Sequence, residues 1–140
     1  MKYTKATNYA LHIMSYIVMY DGRENLSLQP LASQLNMSPT YLSKILTQLV
    51  KADLIQSTPG VNGGYSLRKK KEDISFLDVT QAIEGSGALF ACEMSDKDNE
   101  DNCCIQKVMR EAEELMESYL KDKKLYEVVQ NIPVHGICNK

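Results

Sequence analysis

The side chains best suited to chemistry are four cysteines, three of which fall in one short stretch. Cys92, Cys103 and Cys104 bound the segment Cys92-Glu93-Met94-Ser95-Asp96-Lys97-Asp98-Asn99-Glu100-Asp101-Asn102-Cys103-Cys104, which is polar and acidic throughout. A segment of this composition has little to bury and is expected to be a mobile loop, in which thiols are open to oxidants. In a reducing compartment thiols serve as structural groups, metal ligands or redox sensors, and all three roles stay open here. Five acids (Glu93, Asp96, Asp98, Glu100, Asp101) place negative charge around these thiols, which is expected to slow oxidative thiol chemistry. Enzymatic arrangements are missing from the sequence: there is no His-Glu-x-x-His helix, no Gly-x-Ser-x-Gly elbow and no phosphate-loop Lys. His12 and His135 are far apart with no evident nucleophile partner. An enzyme is not expected.

A second group of side chains suits nucleic acid. Thr40, Tyr41, Ser43, Lys44, Thr47 and Gln48 are hydroxyls, an aromatic, a cation and an amide, a set that can meet phosphates and base edges. The same set could equally be a solvated face without a partner.

The elements that must carry these residues follow from periodicity and turn chemistry. Lys5–Tyr20 reads as a helix, with Ala6, Ala10, Ile13, Met14 and Ile17 on a buried face and Asn8, His12, Ser15 and Met19 on a second stripe. Asp21-Gly22 stops it. Ser27 is a candidate N-cap for a short helix over Leu28–Leu35, and Asn36-Met37 makes a tight turn. Ser38-Pro39 then opens a helix to about Ala52, burying Leu42, Ile45, Leu46 and Leu49. Two short helices joined by a tight turn form a helix-turn-helix candidate, whose second helix enters the groove. Leu54–Thr58 and Gly64–Arg68 read as strands around the turn formers Pro59 to Gly63, which completes the order of a winged helix. A nucleotide-binding loop over Gly60–Gly64 is rejected, because it leads into a strand and not into a helix N-terminus.

Charge supports this layout locally. The net charge is −2, yet residues 38–71 hold Lys44, Lys51, Arg68, Lys69, Lys70 and Lys71 against the single acid Asp53. A phosphate backbone responds to that local field.

The resemblance is now specific. Ser38-Pro39-Thr40-Tyr41-Leu42-Ser43-Lys44-Ile45-Leu46, Leu54-Ile55, Gly63-Gly64-Tyr65-Ser66-Leu67, Ile74-Ser75-Phe76-Leu77-Asp78-Val79 and Ala82-Ile83-Glu84-Gly85 resemble the Rrf2 family of bacterial winged-helix regulators. The similarity starts at Ala6-Thr7-Asn8-Tyr9-Ala10-Leu11 and runs to about residue 125. It implies a cytoplasmic repressor that binds double-stranded DNA at a palindromic operator as a homodimer. Ser38, Thr40, Tyr41, Ser43 and Lys44 would face the major groove, with Gly63, Gly64 and Arg68 placing the wing. The family usually carries Arg where Pro59 stands here. It also implies a sensor at Cys92, Cys103 and Cys104, with His12 as a ligand from the partner subunit, answering to a redox signal, an iron–sulfur cluster ([2Fe–2S] or [4Fe–4S]) or a sulfur metabolite. The family's middle cysteine falls near Asp98, where this chain has none.

From Ile105 a stripe of Val108, Met109, Ala112, Leu115, Met116, Tyr119 and Leu120 recurs at helical spacing. One winged-helix domain offers it little partner surface, and the resemblance makes it the dimer interface. The expected architecture is mainly α with a small β-hairpin wing. It comprises a winged helix-turn-helix domain at 1–85, a sensor loop at 86–104, a dimerisation helix at 105–125 and a tail at 126–140. No apolar run reaches the length of a membrane span. The alternative is a dimeric adaptor that binds a protein or small metabolite without specific DNA recognition.

Overall fold

The computed structural model describes residues 3–20, 25–87 and 104–130. Cys92, Cys103, Cys138 and His135 lie outside them. The elements run α1 (Lys5–Met19), α2 (Leu28–Leu35), α3 (Pro39–Lys51), β1 (Ile55–Thr58), β2 (Gly64–Leu67), a short 3-10 turn (Lys71–Asp73), α4 (Phe76–Glu84), α5 (Cys104–Asp122) and α6 (Leu125–Val129). No described helix is long and apolar enough to cross a membrane.

The core forms where the apolar faces of α1, α2 and α3 meet. Ala10, Ile13, Met14 and Ile17 of α1 are buried with Leu31 and Ala32 of α2 and Leu42, Ile45, Leu46 and Leu49 of α3. Ala6 is half-buried. The second stripe expected on α1 divides: Ser15 is buried and donates to the Leu11 carbonyl at 2.7 Å, whereas Asn8 is exposed and His12 and Met19 are half-buried. A helix-interior hydroxyl satisfied by its own preceding turn needs no outside partner.

Local chemistry sets the helix ends. Ser38 caps α3, its hydroxyl oxygen accepting the Tyr41 N–H at 3.2 Å, and Pro39 fills the first turn. Ser27 holds the N-cap position of α2 without making that bond, so its expected cap is not formed. Asn36 takes the left-handed conformation (φ 54°), and the Met37 N–H closes the turn on the Ala32 carbonyl at 2.9 Å. α4 opens on a reciprocal capping box. The Ser75 hydroxyl accepts the Asp78 N–H and the Asp78 carboxylate accepts the Ser75 N–H, both at 3.0 Å.

α1 begins differently, on a carboxylate from far along the chain. Glu84 Oε1 accepts the Thr4 N–H at 3.1 Å, the Thr4 hydroxyl at 2.7 Å and the Thr7 hydroxyl at 2.5 Å. The Thr4 and Thr7 hydroxyls, with the Thr4 N–H, hold the Glu84 carboxyl below its ordinary range. An anion at a helix N-terminus is also favoured by the helix dipole. The last residue of α4 thus ties down the first turn of α1.

The chain after α5 turns back onto the body of the fold over residues 123–129. Ser75 and Lys124 form a bridge, with the Leu125 N–H donating to the Ile74 carbonyl at 3.0 Å and the Phe76 N–H to the Lys123 carbonyl at 2.9 Å. α6 follows, packs on α1, and buries Leu125 and Val129 in the core.

Candidate nucleic-acid interface

α3 turns its apolar face into the core, so its remaining residues form one outward face. Thr40, Lys44 and Thr47 are exposed; Tyr41, Ser43 and Gln48 are half-buried. Their polar capacity is unequal. The Thr47 hydroxyl donates back to the Ser43 carbonyl at 2.8 Å, and the Ser38 oxygen is occupied by its cap. Among the described residues Thr40, Ser43, Lys44 and Gln48 have no side-chain hydrogen bond or ion pair, which leaves them available to a ligand. Tyr41 is held from one side by Tyr9 of α1, a residue to which sequence reasoning gave no role. The ring centroids lie 5.6 Å apart at 83°.

The wing pairs β1 with β2 in antiparallel register, Ile55 opposite Leu67 and Thr58 opposite Gly64. A third segment joins it: Leu26 and Tyr65 exchange backbone hydrogen bonds of 3.0 and 2.8 Å. The wing is thereby fastened to the chain just ahead of α2. The expected role of Gly63 and Gly64 in placing the wing has an internal basis. A Cβ at Gly63 would sit 2.0 Å from the Thr58 carbonyl oxygen, and one at Gly64 would sit 2.5 Å from the Leu26 carbonyl oxygen. Gly63 is itself buried, so the surface of the tip belongs to Pro59, Gly60, Val61 and Asn62. Val61 is fully exposed, an apolar side chain at the outermost point of the hairpin.

The basic cluster resolves into two classes. Arg68 pairs with Asp53 at 3.4 Å, Lys69 with Asp78 at 3.1 Å, and the Lys71 ammonium lies 5.0 Å from the Tyr126 ring centroid. Burial acts to raise the Asp78 carboxyl, but the Ser75 N–H and the Lys69 ammonium outweigh it and hold that group below the ordinary value. Lys69 therefore braces the α4 cap. Lys44, Lys51 and Lys70 have no such partner among the described residues. The Arg68–Asp53 pair is exposed on both sides, and a pair of that kind is worth about 0–1 kcal/mol, so Arg68 can exchange Asp53 for a phosphate at little cost.

α5 presents the reverse of an ordinary surface helix. Gln106 is buried and Glu113, Met116, Glu117 and Leu120 are half-buried on the side of the helix that faces the body of the chain, where α5 meets α4 and the Tyr3 hydroxyl donates to Met116 Sδ at 3.2 Å. Its apolar stripe points away: Ile105 is 69% exposed and Leu115 74%, with Val108, Met109, Ala112 and Tyr119 also exposed. Of the residues expected in an interface, Met116 and Leu120 face the chain's own body more than the others do.

Of the four cysteines only Cys104 is described, exposed at the start of α5. His12 Nδ1–H donates to the Asn8 carbonyl at 2.7 Å within its own helix. Among the described residues no three His, Cys, Asp or Glu side chains come together as a metal site.

Comparison with known proteins agrees with this geometry. The family model described as Rrf2, iron-dependent transcriptional regulator, matches residues 3–131. The chain is 36% identical over 104 residues to protein Rrf2 of Nitratidesulfovibrio vulgaris, covering 74% of this chain and 66% of that protein. It is 30% identical over 105 residues to the HTH-type transcriptional regulator NsrR of Halalkalibacterium halodurans, covering 75% and 69%. Among solved structures, the oxidised form of Staphylococcus aureus CymR superimposes with a TM-score of 0.74 at 25% identity, over 95% of this chain and 99% of that one.

Proposed function

Since the chain belongs to the Rrf2 family of transcriptional regulators, with a DNA-binding fold and no enzymatic role, we propose that it represses from a palindromic operator as a homodimer. The observation that carries this is the outward face of α3 (Thr40, Tyr41, Ser43, Lys44, Thr47 and Gln48) standing beside an anchored wing. α3 enters the major groove, and Arg68 and the wing tip meet the flanking backbone. The apolar stripe of α5, which no described element covers, supports the dimer, because a patch of this kind on a monomer is an aggregation liability. A two-fold interface then sets two copies of α3 on half-sites about one helical turn of DNA apart. Residues 1–85 bind DNA, 86–104 receive the signal and 105–125 make the dimer.

The test is a titration of the chain against its own upstream DNA across a salt series. Lys44→Ala should flatten the salt dependence by about one unit of slope, and Tyr41→Ala should cost about 1–3 kcal/mol if the ring meets a base. Unchanged affinity in both variants would remove α3 from the interface.

Signal reception is assigned to the segment ending at Cys104. Three observations support it: the exposed thiol of Cys104, its place at the head of the helix proposed as the dimer seam, and the oxidised form in which S. aureus CymR was solved. The iron dependence in the family's description favours a cluster as a second form of the same signal, on Cys92 with Cys103 or Cys104 and with His12 from the partner copy. Protein purified without oxygen separates the two. Bound iron and sulfide with visible absorption support the cluster. Operator binding that oxidants abolish and thiols restore supports a disulfide. A variant with Cys92, Cys103 and Cys104 changed to Ser that still responds to its inducer places the sensor elsewhere.

A further inference from the structure

α3 does not present Tyr41 unaided, because a ring from α1 stands against it. We propose that Tyr9 is a positioning residue for DNA recognition, one that fixes the Tyr41 ring in its DNA-binding orientation before DNA arrives. The inference rests on the reading of α3 as the recognition helix.

The geometry begins with Tyr41 itself. It lies in the first turn of α3, and its N–H is bound to the Ser38 hydroxyl, so its backbone is fixed. Its side chain is half-buried, packed on the core from one side and met by the Tyr9 ring on another. The Tyr9 ring meets it edge to face, at 5.6 Å and 83°, the arrangement that aromatic quadrupoles favour. Tyr9 is in turn mounted on an anchored stretch of α1. Its neighbour Ala10 is wholly buried, and one turn earlier Thr4 and Thr7 are held by the Glu84 carboxylate. Tyr9 is nonetheless exposed, so little of the fold depends on its side chain. A large ring kept in solvent, braced from behind and set against a groove-facing side chain, has a role in the interface more than in the core. Its contribution is preorganisation: a side chain ordered in advance loses less entropy on binding.

The test is operator binding by Tyr9→Ala, Tyr9→Leu and Tyr9→Phe, each also made in a Tyr41→Ala background, with a thermal melt of every variant. Tyr9→Ala and Tyr9→Leu should each lose about two- to tenfold in affinity, the worth of one aromatic pair. The salt slope should not move, since no charge is removed, and the melting temperature should change little. Tyr9→Phe keeps the ring edge and should bind as the unmodified chain does. In the Tyr41→Ala background, Tyr9→Ala should add nothing further. Additive losses would overturn the proposal, as would a Tyr9→Phe variant as weak as Tyr9→Ala, since the hydroxyl would then be touching DNA directly. Full affinity in Tyr9→Ala alongside a loss in Tyr41→Ala would overturn the role of Tyr9 and leave α3 as the reader. Full affinity in Tyr41→Ala would overturn both.

Discussion

A chain with Ile105→Asp and Leu115→Asp together should be a folded monomer with almost no operator affinity. Both side chains lie on the exposed stripe of α5 and contribute nothing to the core of their own chain. Two charges on each side of a dry seam carry a desolvation cost of several kcal/mol per ion, which no partner on the stripe offsets. The helix content and melting behaviour of the single chain should survive. Met116 is left intact because it accepts the Tyr3 hydroxyl and so belongs partly to the body of the chain. A lone DNA-binding unit loses the benefit of two linked half-sites, on the order of 10²–10⁴ in affinity. Light scattering at micromolar concentration, paired with the operator titration, checks both parts. A variant that stays dimeric would move the interface off α5, and a well-folded monomer for the unmodified chain would remove the dimer altogether.

The second large effect belongs to the wing. Gly63→Ala places a methyl group 2.0 Å from the Thr58 carbonyl oxygen and 2.8 Å from the Pro59 carbonyl, all of it backbone with no flexible side chain to yield. The hairpin must open, breaking the 3.1 Å bond from the Gly63 N–H to the Gly60 carbonyl and disturbing the adjoining Thr58–Gly64 register. Backbone strain of this kind costs about 1–3 kcal/mol, and here it falls on the part of the fold proposed to rest on the DNA. Operator affinity should fall at least about tenfold. The α1–α3 core should melt nearly as before, since none of its buried side chains comes from the tip. Gly87→Ala, with open space around the added carbon, is the control and should bind normally. Equal affinity in the two variants would show that the wing does not contribute.

The features legible in the sequence were those with local causes. α3 was bounded by a Ser-Pro start and an apolar period of three and four, so its limits and its buried residues Leu42, Ile45, Leu46 and Leu49 could be read directly. The hairpin announced itself through Pro59, Gly60, Gly63 and Gly64. What escaped were pairings between residues distant in the chain. Leu26 joins the wing through a single bridge, too short to leave an alternating run. α6 has only five residues, and its start is anchored by backbone hydrogen bonds between residues 123–125 and the distant residues 74–76. The Glu84 clamp on Thr4 and Thr7 and the Tyr9–Tyr41 pair join segments with no shared periodicity. The basic run at residues 68–71 read as one patch. In the structure Lys69 braces a helix cap and Lys71 sits by an aromatic ring, while Lys70 has no ion pair among the described residues. Charge counting finds such a run but cannot divide it.

The central claim is that two copies of this chain read one symmetric DNA site. It is tested most directly by measuring the mass of the complex and its affinity on three duplexes: the proposed palindromic operator, a single half-site of it, and a scrambled control. At physiological salt the full element should bind two chains, about 10³-fold or more tighter than the scrambled duplex and well above the half-site. One chain per duplex, or equal affinity for all three, would contradict it.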